Sequence, residues 1–411
     1  MIFALKATMY TIIKIISLFL CINLLWLGCS QKAEQNEKKN VALVAQKVPE
    51  PVYDRYWNDV ARFLAGLPPL EGSVLDSVDN LPSSIAHRDL MDKAWQKKKT
   101  TFLDSLTSWV KAEMPEVHLL NRTLFYPFSG PDFVTAFTIC PNASRYVFFG
   151  LEDEGILPDI RKMPKDRIPV NLANIQKSLE DVMNLSFFVT RAMINQLRGK
   201  EFNGSTPLLM LLMARCGNEV LEVKPIRLVK GGKKIYLSRA DSIKQLPGDS
   251  IVTGVEIAFR KKKGDPVQKL EYYSFDAQDI HLKYRQEDLL AYFARLKPTT
   301  TYIKSASYLM HYLTYTMIRN TVFTASDFIL QDDSGIGLRY FDKDIWKLTF
   351  YGVYNGPIHI FRDQYQRDLY QAYRKDTNIK SLPFGIGYKS AKGTSNLMIA
   401  RRIGAEAKST I

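Results

Sequence analysis

The sequence predicts an α+β fold, with a helix-rich N-terminal half followed by antiparallel strands and hairpins in the C-terminal half. Three observations carry this. Apolar residues recur at helical spacing as far as residue 217, the period changes to two near residue 255, and helix and strand blocks then alternate without the regular βαβ rhythm of a doubly wound sheet. The chain has 411 residues, 46% of them hydrophobic and 12% aromatic, which is enough apolar material for a sizeable core and excludes disorder throughout. The divisions that follow are 1–28, 29–50, 51–217 and 218–411, and one continuous domain could contain the last two.

Residues 1–28 have the make-up of a signal peptide. Lys6 and Lys14 give a positive start, and Ile15 to Leu27 is an uncharged apolar run. That length suits the ~7–15 residues of a signal-peptide core and falls short of the about 20 that span a membrane. Leu25-Trp26-Leu27-Gly28-Cys29-Ser30 resembles the lipobox of bacterial lipoproteins, in which a small residue precedes a cysteine that receives diacylglycerol before cleavage; Trp26 stands where an aliphatic residue is usual. The resemblance implies cleavage before Cys29, lipidation of Cys29, and membrane lipid as a partner. The alternative is an uncleaved anchor helix running back through Met9, with Lys14 inside the span. Ser30 to Val48 is rich in Gln, Asn, Lys, Glu and Ala and reads as a flexible tether with a reach on the order of 25 Å. Ser30 replaces the Asp that favours inner-membrane retention in enteric lipoproteins, so the resemblance implies a bacterial cell envelope location at the outer membrane.

Helices come next. Tyr53 to Leu67 carries Trp57, Val60, Phe63 and Leu64 on one face and stops at Pro68-Pro69. Arg88 to Met114 repeats Met91, Trp95, Phe102, Leu106, Trp109 and Val110 at helical intervals, with Lys97, Lys98 and Lys99 falling largely between them, and ends at Pro115. A third helix is expected over Leu172 to Leu197. A fourth begins at Ser205-Thr206-Pro207, with a hydroxyl cap and proline in its first turn, and its Leu208 to Met213 stretch is apolar all round and so expected to be buried.

Strands then dominate. Val255, Ile257 and Phe259 alternate with Glu256 and Ala258, and Leu270 to Phe275 continues the period beyond the polar turn Lys261 to Pro266, which predicts a hairpin. Helices are expected again at Glu287 to Leu296 and Tyr302 to Ile318. Ile329 to Gln331, Leu338 to Phe341, and the face formed by Trp346, Leu348 and Phe350 read as strands around an Asp332-Asp333-Ser334-Gly335 turn.

Chemistry-bearing motifs are few. H-E-x-x-H, G-x-S-x-G, G-x-x-x-x-G-K-[ST] and paired C-x-x-C are absent, which removes the common zinc peptidase, serine hydrolase, nucleotide-loop and zinc-ribbon classes; no cofactor and no metal is expected. The histidines His87, His118, His281, His311 and His359 are isolated. Ser108-Trp109-Val110-Lys111 matches S-x-x-K without its K-T-G partner. Acidic clusters are the remaining catalytic candidates: Glu152 and Glu154 after an apparent strand from Tyr146 to Leu151, and Asp332 and Asp333 at the later turn. Glycosidases of the envelope pair one protonated and one ionised carboxyl, which such clusters could supply; the alternative is a solvated turn, where Asp, Ser and Gly are ordinary. Asp332 and Asp333 lack the spaced ligand ladder of a calcium loop.

The formal charge is +14, and removal of Lys6 and Lys14 with the leader leaves +12. An exported protein meets no genome, so the expected partners are acidic envelope polymer or a protein rather than nucleic acid. The runs Lys97 to Lys99, Lys230 to Lys234 and Lys261 to Lys263 are scattered and equally suit solubility. Tyr302, Tyr308, Tyr312 and Tyr315, with Tyr340, Trp346, Tyr351 and Tyr354, could stack on sugars or pack a core. Cys140 and Cys216 could pair in an oxidising periplasm or remain buried free thiols.

Phe125-Tyr126-Pro127-Phe128-Ser129-Gly130-Pro131-Asp132, Pro141-Asn142-Ala143, Phe149-Gly150-Leu151-Glu152, Leu330 to Ile336, Leu382-Pro383-Phe384-Gly385 and Ser395-Asn396-Leu397 resemble segments of a group of uncharacterised bacterial envelope proteins. The likeness spans roughly residues 120 to 400 and carries no activity with it. Physically, Tyr126 to Asp132 sets aromatic rings beside Pro and Gly in a turn before a helix that the Asp132 carboxylate would cap. A pocket is expected between this loop and the Asp332 turn. The function these observations favour is a binding or assembly module of the envelope. The alternatives are an enzyme acting on an envelope polymer through its acidic residues, and a lipoprotein that binds a sugar or another small ligand.

Overall fold

A computed structural model describes residues 53–404 except 120, 156, 186–200, 239–251 and 283–285. The leader, Cys29, the tether, and the end of the third expected helix from residue 186 lie outside the described residues. Tyr53–Ile411 form one compact unit by contacts.

Helix α1 covers Tyr56–Leu64 and buries Val60, Phe63 and Leu64. Helix α2, Pro82–Lys98, opens with proline in its first turn and runs through a π-helical turn, Lys99–Leu103, into α3, Asp104–Glu113. Strand β1 is Thr123–Tyr126, α4 Phe133–Ile139 and β2 Arg145–Gly150; α5 is Ile168–Leu185 and α6 Thr206–Arg215. All ten residues of α6 are buried, as its uninterrupted apolar run requires. Strands β3 (Glu219–Val229), β4 (Lys233–Tyr236), β5 (Val252–Arg260) and β6 (Gln268–Ser274) follow. Then come α7 (Gln286–Ala294), β7 (Thr299–Ile303), α8 (Thr316–Ala325), β8 (Ser326–Gln331), β9 (Trp346–Gly352), α9 (Arg367–Lys375) and β10 (Asn396–Arg402). No helix among the described residues is long and apolar enough to cross a membrane.

These strands form one mixed ten-stranded sheet in the order β4-β3-β5-β6-β2-β1-β7-β8-β10-β9, so the class is α+β. The five central strands, β6, β2, β1, β7 and β8, are mutually parallel. Antiparallel strands flank them: β3 pairs with β4 and β5, β5 with β6 as the expected hairpin, and β10 with β8 and β9. The N-terminal half is therefore less purely helical than the sequence predicts, because β1 and β2 lie at the centre of the sheet. The apparent strand from Tyr146 to Leu151 is β2, whereas β1, Thr123–Tyr126, is not among the expected strands; parallel strands are covered on both faces and lack the period-two alternation that marks a half-buried strand.

Helices cover both faces. Tyr126, Phe148, Tyr302 and Leu330 pack with α1 to α6 on one side, while Phe125, Phe149, Ile303 and Ile329 pack with α7 and α8 on the other. Two expectations need correction. The segment Tyr302 to Ile318 is not one helix: Thr299–Ile303 is β7, where three consecutive β-branched threonines fit a pleated strand paired on both sides, and the helix begins at Thr316. Leu338–Tyr340 is a single 3-10 turn and not a strand.

Candidate functional site

Numbered along the chain, the parallel strands stand in the order third, second, first, fourth, fifth: β6-β2-β1-β7-β8. Connections leave β1 in one direction, by way of α4, and proceed from β7 in the other, by way of α8, on opposite faces of the sheet. Open α/β sheets bind ligands in the crevice that such a reversal opens outside the carboxyl ends of the strands. A crevice of about 710 Å³ lies there. Its walls are the loop after β1, the end of β2 and the loop after β7, and Ile358, Phe361 and Tyr388 complete them. The sequence expectation of a pocket between the Tyr126 to Asp132 loop and the Asp332 turn holds on one side only: the loop forms one wall, but the facing wall is the loop after β7, with the Asp332 turn packed behind it.

The first wall is tied down from within. The Ser129 amide and hydroxyl both donate to the Phe149 carbonyl, at 2.8 and 3.2 Å, which joins the loop to β2. Asp132 caps α4 as expected, accepting from the Thr135 amide at 3.4 Å. Its carboxylate also accepts from the Tyr126 hydroxyl at 3.0 Å, from the Thr135 hydroxyl, and from the Lys304 ammonium at 2.6 Å. Lys304 and Asp132 are 2% and 4% exposed, so this is a buried ion pair in which each partner offsets the other's loss of water.

Lys98 is a second buried lysine near this pair, which corrects the reading that set Lys97 to Lys99 outside the apolar face. Lys98 follows Met91 and Trp95 and precedes Phe102 at spacings of three and four, and so falls on the buried side, with its ammonium 4.6 Å from the Phe102 ring centre. Burial pushes its ammonium down to about 8, Lys304 adds to the fall, and Asp132 opposes it. In the unfolded chain the group titrates near 10.5, so between these values the unfolded state holds the proton more tightly. This contribution is present above 10.5 and is lost as pH falls through 8. Unfolding free energy is expected to rise by roughly 1–3 kcal/mol more in the parent than in Lys98→Met between pH 8 and 10.5, measured by urea titration; parallel profiles would contradict the assignment.

The second wall is strained. Ser305, Ser307 and Tyr308 all have φ between 51 and 56°, the left-handed region, as does Phe128 in the loop opposite at 59°. Non-glycine residues persist there only when their surroundings fix them, at roughly 1–3 kcal/mol each. Here the turn after β8 does so. The Ser305 amide donates to Asp332 Oδ2 at 3.0 Å, the Ala306 amide to Ser334 Oγ at 2.8 Å, and the Tyr308 hydroxyl to Asp333 Oδ2 at 2.7 Å. Tyr388 adds a strut, its hydroxyl donating to the Ser305 carbonyl at 2.9 Å and lying 2.9 Å from Ser307 Oγ. Gly387 is needed beside it, because a Cβ there would come within 2.3 Å of Asp332 Oδ2 and its φ is +66°.

The four acidic candidates therefore separate. Glu152 alone of them lines the crevice. Glu154 is half-buried, accepts from the Thr253 hydroxyl at 3.2 Å, and has its carboxyl pushed up by burial. Asp332 and Asp333 are buried behind the β7 loop, which overturns the solvated-turn reading: β8 is an interior strand, and its turn packs beneath a neighbouring loop. Burial first, then the charge of Asp333, pushes the Asp332 carboxyl up, against donors from Ser334 and Ser305. Asp333 also accepts from Asn396 at 2.9 Å.

Cys140 and Cys216 are free thiols, and burial pushes both up, away from reactivity. Most of the late aromatics serve the core: Tyr302, Tyr308, Trp346, Tyr351 and Tyr354 are buried. His87 is held between the Leu64 carbonyl and Gln176, at 2.9 and 2.8 Å, as a structural histidine. Among the described residues no group of three or more His, Cys, Asp or Glu is placed to hold a metal ion. A smaller crevice of about 330 Å³ lies between α7 and α8, lined by Phe293, Met317 and Thr321. Comparison with family models, curated proteins and solved structures gives no match.

Proposed function

We propose that the chain is a bacterial envelope lipoprotein, held by lipid on Cys29, whose folded body binds a small organic ligand in the crevice between β1 and β7. The observation that supports this most is the place of the crevice, where the winding of a parallel sheet reverses and two strained loops are fixed by buried side chains. Its walls join apolar Phe128, Leu151, Leu309 and Phe361 to polar groups such as Ser129, Glu152 and Ser307, with apolar surface the larger share, as in small-molecule sites. Polymer hydrolysis has less support. It needs two working carboxyl groups facing one bond, whereas Asp132, the other carboxylate in the crevice, is committed to Lys304.

A thermal-shift screen of the mature chain against sugars, nucleosides, amino acids and fatty acids tests the reading, run beside Leu151→Trp. Leu151 is 49% exposed at the crevice wall, so a larger ring there fills ligand space without entering the core. Ligand at a hundredfold its Kd adds about 2.7 kcal/mol to the folded state, and a rise of a few degrees is expected in the parent and not in the variant. A screen without hits, or hits unaffected by Leu151→Trp, would overturn the proposal.

A further inference from the structure

We infer that the ligand is a ribonucleoside without a diphosphate, with Glu152 accepting hydrogen bonds from its ribose diol. This rests on the crevice being a ligand site, and it names the ligand class. Glu152 stands two residues beyond the end of β2, the strand beside β1, and is 4% exposed while still lining the crevice. The Tyr272 hydroxyl fixes it, donating to its carbonyl at 2.8 Å and to Oε2 at 3.3 Å. Gly150 makes that approach possible, since a Cβ there would meet the Tyr272 hydroxyl at 2.3 Å and Glu152 Oε2 at 2.7 Å. Among the described residues no cation pairs with Glu152. A carboxylate has about four acceptor sites, so after Tyr272 this one keeps capacity for two neutral donors side by side. Vicinal hydroxyls supply such a pair.

Position narrows the class. In sheets with this strand order the tip of the second strand is where an acidic side chain meets the ribose of a bound nucleotide. Dinucleotides also need free backbone amides after the first strand for the pyrophosphate. Here the amides of Ser129, Asp132 and Phe133 are spent on Phe149, Ser129 and Pro131 carbonyls, and Pro131 has no amide hydrogen. With three amides spent and proline at a fourth position, that turn keeps little of the donor array a pyrophosphate needs, which favours a neutral group there. Leu151 beside Glu152 and Phe128 across the crevice offer apolar surface to a flat base.

Isothermal titration with adenosine, guanosine, cytidine and uridine, then with the 2′-deoxy and 3′-deoxy forms of whichever binds, tests the inference, with NAD as the dinucleotide probe. The expected result is binding of at least one ribonucleoside, a loss of about tenfold or more on removing either hydroxyl, and NAD no tighter than its nucleoside. Glu152→Gln is expected to weaken the ribonucleoside by a similar factor and to weaken each deoxy form less, since that form keeps one hydroxyl on Glu152; Tyr272→Phe, which frees the Glu152 side chain, serves as the second variant with a smaller loss in the same direction. Equal affinity of ribo and deoxy forms, or tighter NAD, would overturn the inference. Nucleosides that fail while another compound binds in a Leu151-dependent way would overturn the ligand class and leave the crevice as a site. Failure of every compound would remove both.

Discussion

Asp132→Ala is expected to lower the unfolding free energy by about 3–5 kcal/mol, because it leaves the Lys304 ammonium buried without its carboxylate. Three side-chain donors converge on that carboxylate, from Tyr126, Thr135 and Lys304, and alanine replaces none of their acceptors. Lys98 nearby makes the deletion worse, since its charge acts on the same buried region as that of Lys304 and the Asp132 charge that opposes both is removed. Urea denaturation at pH 7 measures the loss. The double change Asp132→Leu with Lys304→Met should recover much of it, as apolar replacement of a whole buried pair is often near neutral. A single-variant loss below about 1 kcal/mol would show that the pair does not organise this end of the sheet.

Cys29→Ser is expected to block both lipidation and cleavage, so that all of the protein persists as the full-length precursor held by its apolar leader. An acyl chain contributes about 0.8 kcal/mol per buried methylene, so stable attachment depends on the lipidated residue once the leader is removed. Labelled palmitate should enter the parent and not the variant, and the variant should migrate as the uncleaved precursor. Equal mobility of parent and Cys29→Ser, with no label in the parent, would favour the uncleaved anchor helix through Met9 instead.

Local patterns carried much of the architecture. The α1, α2 to α3 and α6 segments, the β5–β6 hairpin and the Asp132 cap were all legible, because each depends on spacing or on a single residue close in the chain. The parallel centre of the sheet was not. Between β2 and β6 the chain inserts α5, α6 and the antiparallel strands β3 to β5, which hides the winding that places β6 beside β2. Lys98 could have been recognised from its place in the Met91, Trp95, Phe102 series, had its charge not suggested solvent. Lys304 carried no such signal: it follows a strand that the tyrosine spacing disguised as a helix, and its partner Asp132 is far away in sequence. Asp332 and Asp333 were visible as acidic residues, but their work in holding Ser305 and Tyr308 follows only from β8 lying beside β7.

That two loops at the carboxyl ends of β1 and β7 form a ligand site is tested most directly by hydrogen exchange with and without a saturating hit from the ligand screen. Protection is expected in segments 126–132, 150–152 and 304–309, with little change around Phe293 and Thr321 between α7 and α8. Protection confined to the α7–α8 crevice, or none at the three loop segments, would place binding elsewhere and contradict the assignment.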